Sequence, residues 1–289
     1  MNKHFEKLMD DYYKVLINTW SESVKESARF AIRELTKLGP EQRANDTFLK
    51  DLEYDIRIKM GEDFANNLYG KVRKFVEFGY TESAREPQFG NADLRSAISF
   101  TPSDTRNIEM LKKQQLFWLK NHYDAETSEK LKTVLAMYFE ERWTNKQLAE
   151  NLQTHFKDTI KSGESYFAGL AEHTGLRIRE YGSLANYKRL GFRRYKIVAV
   201  MDDRTSDICR ALNGKIFDVE NAFNQMEEIL SADYKNYQAA KEFLKEKCPF
   251  INKEQVHFNS KEQPDNIEGY YFPLPPFHWR CRTETIGID

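Results

Sequence analysis

The residues best suited to chemistry lie in two short clusters near the end of the 289-residue chain. The first cluster, Asp202 to Cys209, directly follows a segment rich in β-branched residues. The second cluster, Pro275 to Arg282, directly precedes the last apolar segment of the chain. Both apolar segments are typical of strands, and pairing of the two strands would bring the clusters together. Cys209, His278, Cys281 and an aspartate would then share one site.

One interpretation of this site is a structural zinc ion. Cys209, His278 and Cys281 would be ligands, and Asp203 (or Asp202) is the candidate for the fourth position. Thiolate and imidazole groups are the ligands that zinc prefers in structural sites. The spacing His-x-x-Cys suits one turn of chain around a tetrahedral ion, although the third ligand is distant in sequence.

A second interpretation is a network of hydrogen bonds without a metal. Asp203 would cap the turn after its strand, and His278 would pack under a loop fixed by prolines. Arg282 or Arg204 would form a bidentate pair with a carboxylate. Buried polar side chains more often serve such networks than bind ions.

A third interpretation is nucleophilic catalysis, with Cys209 or Cys281 as nucleophile and His278 as its base. This chemistry also needs an oxyanion site, and no glycine-rich segment stands beside either cysteine. The sequence contains neither a phosphate-binding loop nor a dinucleotide fingerprint. Nucleotide-dependent chemistry is therefore not indicated.

The elements that must position the clusters are mostly helical. Up to about residue 190, apolar residues recur at three- and four-residue steps, as in Phe5, Leu8, Tyr12 and Leu16. The run Thr101 to Asp104 is typical of a helix start, and Thr144 to Gln147 matches a capping box. A further helix is expected from Tyr166 to about Leu190.

The pattern changes after Gly191. We expect a strand in Arg194 to Met201, and a strand–turn–strand unit in Leu212 to Phe217, because Asn213-Gly214 suits a tight turn. A helical insert and a final strand, Arg282 to Ile288, complete a small α+β unit. The predicted fold class is α+β, divided into a helical region, 1–125, and a C-terminal domain with its leading helices, 126–289.

Composition narrows the classes of protein further. The formal net charge is −1, with 44 basic and 45 acidic residues, which gives no global reason to expect binding to nucleic acid or membranes. No apolar run approaches the roughly 20 residues of a membrane helix, and the N-terminus lacks a signal-peptide pattern. The protein is expected in the cytoplasm, or carried out of it inside another assembly. Its 3 cysteines are too few for a disulfide framework.

Taken together, the two clusters resemble a known family. A strand, then Asp-x-Arg-Thr-x-x-x-Cys, Leu-Asn-Gly-Lys-Ile-Phe, and Pro-Pro-x-His-x-x-Cys-Arg, is similar to the C-terminal domain of the Mu F-like (SPP1 gp7-like) phage head morphogenesis family. The resemblance covers about Ser128 to Asp289. Besides the candidate ligands, its motif residues are Arg204, Thr205, Asn213, Gly214, Pro275, Pro276 and Arg282.

This resemblance implies a minor head protein of a tailed phage or prophage, without enzymatic activity. Its implied partners are the portal protein and the major capsid or scaffold proteins, with packaged DNA as a further candidate and no membrane. Its implied location is the capsid interior near the portal, after assembly in the host cytoplasm. The alternative function is a metal-dependent or cysteine hydrolase, or an effector, that uses Cys209, His278 and Cys281.

Overall fold

The protein is mostly helical and ends in a small sheet, as the computed structural model shows. The structure describes residues 3–37, 46–84, 101–141, 143–232, 238–240, 242–243, 274–278 and 280–288. The long helices are α1 (Lys3–Thr36), α2 (Asp46–Ala84), α3 (Pro102–Glu140) and α4 (Asn145–Leu190). They are followed by β1 (Arg194–Val198), α5 (Asp207–Leu212), β2 (Ile216–Asp218), α6 (Val219–Ser231) and β3 (Glu284–Ile288). The predicted α+β class is confirmed. None of the helices in the described ranges has the long, weakly charged apolar stretch that a bilayer crossing requires.

Two predicted helix starts are confirmed as capping boxes. At α3, the backbone amide of Asp104 donates to the Thr101 hydroxyl, and the Asp104 carboxylate accepts from the Thr101 amide at 2.9 Å. At α4, the Gln147 amide donates to the Thr144 hydroxyl, and the Gln147 side chain accepts from the Thr144 amide at 2.8 Å. Each box satisfies amides that have no partner inside the helix.

Helix α4 is longer than the sequence predicts. We expected one helix after Thr144 and another from Tyr166, but the structure has a single helix of 46 residues. Gly163 lies where the break was expected, and it is used for packing instead. A Cβ atom at Gly163 would lie 2.9 Å from the Trp20 ring carbon Cδ1, so glycine is what allows the indole to pack there.

The described chain forms two compact units, each built from separate segments. The first unit contains residues 1–5, 74–114 and 169–289, and the second contains residues 6–73 and 115–168. Helices α2, α3 and α4 therefore each contribute a stretch to both units. The predicted boundary near residue 125, which would divide the chain into two contiguous domains, stays a prediction.

The second unit is a packing of helices around Trp20. The Trp20 ring lies 5.8 Å from Phe64, 5.5 Å from Tyr123 and 5.2 Å from Phe167, measured between ring centroids, and its indole N–H donates to the Thr159 carbonyl. All three aromatic neighbours are fully buried. Offset and edge-on contacts of this kind add to the free energy gained by burying the rings.

The first unit contains the sheet, whose strand order is β2-β1-β3 with both pairs antiparallel. Tyr195 and Ile197 of β1 and Phe217 of β2 point to the buried face. Tyr187 of α4 donates from its hydroxyl to the Thr285 carbonyl of β3 at 2.7 Å, and Leu184, Phe223 and Met226 of α4 and α6 are buried as well. The alternation of buried and more exposed residues along each strand is that of a sheet covered on one face.

The strand–turn–strand prediction for Leu212 to Phe217 is wrong in its first half. Leu212 ends helix α5, and the Asn213-Gly214 pair joins that helix to β2. The positive φ expected at this turn occurs at Gly214, at 81°, but Asn213 stays at −59°. The segment Asp207–Leu212 is helical rather than extended because the Ser206 side chain caps it by accepting from the Cys209 amide. The predicted helical insert is seen as α6, and most of its remainder, with Cys248, lies outside the described residues.

Two glycines give a matched test of helix packing. A Cβ atom at Gly182 of α4 would lie 2.8 Å from the Tyr80 carbonyl oxygen and 2.9 Å from the Ser83 Cβ of α2, whereas one at Gly70 would meet nothing within 4 Å. Gly182→Ala should lower the free energy of unfolding by about 1–3 kcal/mol through overpacking. Gly70→Ala should raise it by about 0.5–1 kcal/mol, because alanine is the better helix former. Urea denaturation of both variants checks this, and equal effects would contradict the close approach of α2 and α4.

Candidate metal centre

The pairing of β1 with β3 brings the two chemical clusters to one end of the sheet. In this antiparallel pair, Val198 at the end of β1 lies opposite Glu284 at the start of β3. The loop that leaves β1 and the segment that leads into β3 must therefore be neighbours. The expected meeting of the two clusters occurs because these strands are adjacent.

Helix α5 supplies the first cysteine. Its N-cap is Ser206, whose φ and ψ of −69° and 156° are extended, and Cys209 follows in the first turn. The Cys209 side chain points inward and is only 3% exposed. Gly214 and Lys215, just beyond the helix, hydrogen-bond to Ile197 of β1, which ties α5 to the sheet.

The second cysteine and the histidine come from the segment before β3. Leu274, Pro275, Pro276 and Phe277 are all buried, and the Pro275–Pro276 peptide bond is cis. His278 is half-buried, and its carbonyl accepts from the Cys281 amide at 3.2 Å. The buried prolines and Phe277 thus anchor a tight turn that presents His278 and Cys281 together.

The three side chains form a compact group of ligand atoms. Cys209 Sγ lies 3.2 Å from His278 Nε2 and 3.8 Å from Cys281 Sγ. All three ligand atoms lie within 4.8 Å of one another. Two thiolates bound to one tetrahedral zinc ion, each at about 2.3 Å, stand about 3.8 Å apart. The spacing of the sulfurs therefore suits a metal ion without rearrangement.

The electrostatics of the group favour a thiolate at Cys281. The hydrogen bond from Cys209 lowers the pKa of Cys281, with further help from His278 and from backbone groups of Thr283 and Phe277. The same hydrogen bond raises the pKa of Cys209, and burial adds to this effect. A bound cation would favour the deprotonated form of both sulfurs, because metal ligands must be deprotonated.

Asp202, rather than Asp203, organises the loop after β1. Its carboxylate accepts from both Nη atoms of Arg282, at 2.7 and 2.6 Å, and from the Arg204 amide at 2.9 Å. The Asp202 amide in turn donates to the Thr205 hydroxyl at 2.8 Å. Hydrogen bonds from Arg282, above all, hold the pKa of Asp202 well below its usual range. The bidentate pair foreseen for Arg282 exists, and it joins the two clusters across the site.

The remaining predicted site residues lie around this group. Asp203 is exposed and stands outside the set of three close ligand atoms. The Asn213 side chain accepts from the Ala199 amide at 3.0 Å, which fixes the start of the loop after β1. The metal assignments of Cys209, His278, Cys281 and Asp203 themselves stay predictions.

The sequence analysis does not predict that side chains of α4 hold β3 in place. Buried Glu180 accepts from the Thr285 amide at 3.1 Å and from the Thr285 hydroxyl at 2.7 Å. Its other oxygen accepts two bonds from Arg179, which also reaches Glu284 of β3 at 2.9 Å. Burial raises the pKa of Glu180 against the effect of these partners. The adjacent opposite charges Arg179-Glu180, in a helix rich in apolar residues, were the available signal.

His173 of α4 also lies beside the site. Burial lowers its pKa to about 3, with a further contribution from Arg177, and it interacts with the backbone of His278. The Arg177 guanidinium lies 3.2 Å from His173 Nε2. A neutral imidazole packed on the His278 turn supports that turn from the helix side.

The contrast between two glutamates tests how β3 is held. Glu180→Ala leaves Arg179 buried beside a single, half-exposed partner, and removing one member of a buried ion pair costs about 3–5 kcal/mol. Glu284→Ala removes a carboxylate that is 44% exposed and should cost no more than about 1 kcal/mol. Chemical denaturation of both variants measures the difference. Similar losses would show that Glu180 is not the main anchor of β3.

A comparison with protein families covers the segment that contains this site. The model of the family described as Phage Mu protein F like protein matches residues 143–286. The match begins just before α4 and ends inside β3, so it includes every residue of the cysteine–histidine group. No curated protein and no solved structure matches the chain. Through residues 143–286, the chain belongs to the phage Mu F-like family of head morphogenesis proteins.

Proposed function

We propose that the protein is a minor head protein that acts at the portal during procapsid assembly and DNA packaging or delivery. The observation that carries the proposal is the family match across residues 143–286, which contains the complete cysteine–histidine group. Its partners would be the portal protein and the major capsid or scaffold proteins, and packaged DNA is a further candidate. It would assemble in the host cytoplasm and remain in the capsid interior near the portal.

The cysteine–histidine group has a structural role in this proposal. A zinc ion bound by Cys209, His278 and Cys281 would join α5 to the turn before β3, two segments that are distant in sequence. Such a link stabilises a small sheet whose strands have only three to five residues. No catalytic step is assigned to the group.

The hydrolase alternative is favoured by one observation, the 3.2 Å contact between Cys209 Sγ and His278 Nε2. A nucleophile and its base stand at such a distance. Against it, both cysteines are almost fully buried, at 3% and 1% exposed, which restricts the access of a substrate to either thiol. No glycine-rich segment stands beside either cysteine to form an oxyanion site. The structural role is therefore the better supported one.

Particle composition tests the proposed function. Quantitative mass spectrometry of purified particles and DNA-free procapsids should find the chain at no more than a few copies per portal in both. Deletion of its gene should reduce the yield of DNA-filled, infectious heads, and a plasmid copy should restore it. Absence of the chain from both kinds of particle would overturn the proposal and favour the hydrolase alternative.

Metal content tests the structural site. Cys281→Ser should abolish zinc binding, measured by elemental analysis of the purified full chain, and should lower the melting temperature by several degrees, since about 1 kcal/mol shifts Tm by roughly 2–4 °C in a chain of this size. Cys248→Ser is the matched control and should change neither quantity. Zinc retained in Cys281→Ser would disprove the assignment.

The fourth ligand has its own test. If Asp203 supplies it, Asp203→Asn should weaken zinc binding by about 10-fold or more, the scale seen when groups that support a metal site are removed. Asp207→Asn is the control, because Asp207 is also an exposed carboxylate in the same segment. Unchanged zinc affinity in Asp203→Asn would show that Asp203 is not the fourth ligand.

A further inference from the structure

Two buried cysteines from different elements are in direct contact. Cys209 is 3% exposed and Cys281 is 1% exposed, and their sulfurs lie 3.8 Å apart. The two residues are 72 positions apart in the chain. Disulfide bonds have a sulfur–sulfur distance of about 2.05 Å, so rotation of the side chains has to bring the sulfurs less than about 2 Å closer.

We propose that Cys209 and Cys281 form a disulfide when the site loses its metal, so that one pair of sulfurs serves as zinc ligand in reducing surroundings and as covalent cross-link in oxidising ones. This inference rests on the proposed function, in which the chain is made in the cytoplasm and later leaves the cell inside a particle. Cytosolic thiols stay reduced, whereas disulfides persist outside the cell.

The step balances with a peroxide as oxidant. One sulfur attacks a peroxide oxygen, forming a sulfenic acid and releasing water or hydroxide. The second sulfur then displaces the hydroxyl group as water, which forms the sulfur–sulfur bond, and the protons of the two thiols end up in the two waters. Hydrogen peroxide is reduced to two waters and the two thiols are oxidised. The neighbouring sulfur intercepts the sulfenic acid before further oxidation because it is already in contact.

Zinc and the disulfide would connect the same two segments. Either link connects α5 to the turn before β3, so this connection is present in both states. A bound zinc ion occupies the lone pairs that attack the oxidant, so oxidation should follow metal release. The metal-free, reduced chain is the form without a link, and it should be the least stable of the three.

The test uses the full chain carrying Cys248→Ser, which leaves only the two cysteines of the site. The zinc-loaded protein and the chelator-treated protein are exposed to the same low concentration of hydrogen peroxide. The chelated sample should lose about 2 Da through disulfide formation, at least 10-fold faster than the zinc-loaded sample. Peptide mapping without reductant should recover the Cys209–Cys281 cross-link in monomeric protein.

Thermal melting separates a native link from an accidental one. The oxidised chain should melt above the reduced, metal-free chain, and dithiothreitol with zinc should restore the starting form. Mass gains from sulfinic or sulfonic acid, cross-linked dimers, or an oxidised chain that melts no higher than the reduced metal-free form would each overturn the inference.

Differential alkylation links the chemistry to the particle. Cys209 and Cys281 should be free or zinc-protected in infected cells and cross-linked in released particles, whereas Cys248 reports general oxidation. Free thiols at both sites in released particles would refute the switch even if the chain is a head protein. If the chain forms the cross-link but never binds zinc, both the zinc site and the dependence of oxidation on metal release would be refuted. The proposed function as a minor head protein would not be affected by that result.

Discussion

The antiparallel pairing of β1 with β3 is the constraint on which the candidate site depends. The pair joins residues about 90 positions apart, so forming it has an entropic cost of loop closure. The few backbone hydrogen bonds of the pair do not offset this cost alone. Glu180 offsets this cost from the helix side by binding Thr285, and the Asp202–Arg282 pair adds a second link beyond the strand ends. Once β3 is held, Cys281 and His278 have little freedom to lie anywhere but beside Cys209.

A buried charge makes this arrangement specific as well as stable. Glu180 is a costly residue to bury, and it is tolerated because both oxygens accept hydrogen bonds from Arg179 and Thr285. Such a network is satisfied only in one register of β3. A shift of β3 by one residue would move Thr285 away from the carboxylate and turn the buried face of the strand outward. The register that brings Cys281 to the site is thus the one that the helix can satisfy.

Much of this organisation could be predicted from local patterns in the sequence. Neighbours within a few positions determine the helix start at Thr101, the capping box at Thr144, the periodic apolar residues of α1 and the terminal strand, and these predictions are confirmed. Helix α5 was missed because Asn213-Gly214 suits a hairpin as well as a helix end, and the choice is made by the Ser206 cap. The continuity of α4 through Gly163, and the roles of Arg179 and His173, depend on partners more than 100 positions away, which periodicity does not reveal.

The matched family segment shares its interior with the rest of the chain. Residues 143–168 lie in the second unit, where Gly163 and Thr159 of α4 contact Trp20 of α1. Recombination between related genes that joined a foreign N-terminal half near residue 143 would place a new residue against that glycine. A foreign N-terminal half would fit only if its α1 carries a ring of similar size to the indole at this position, because α4 keeps its glycine. The two halves of the gene are therefore expected to be inherited as a pair.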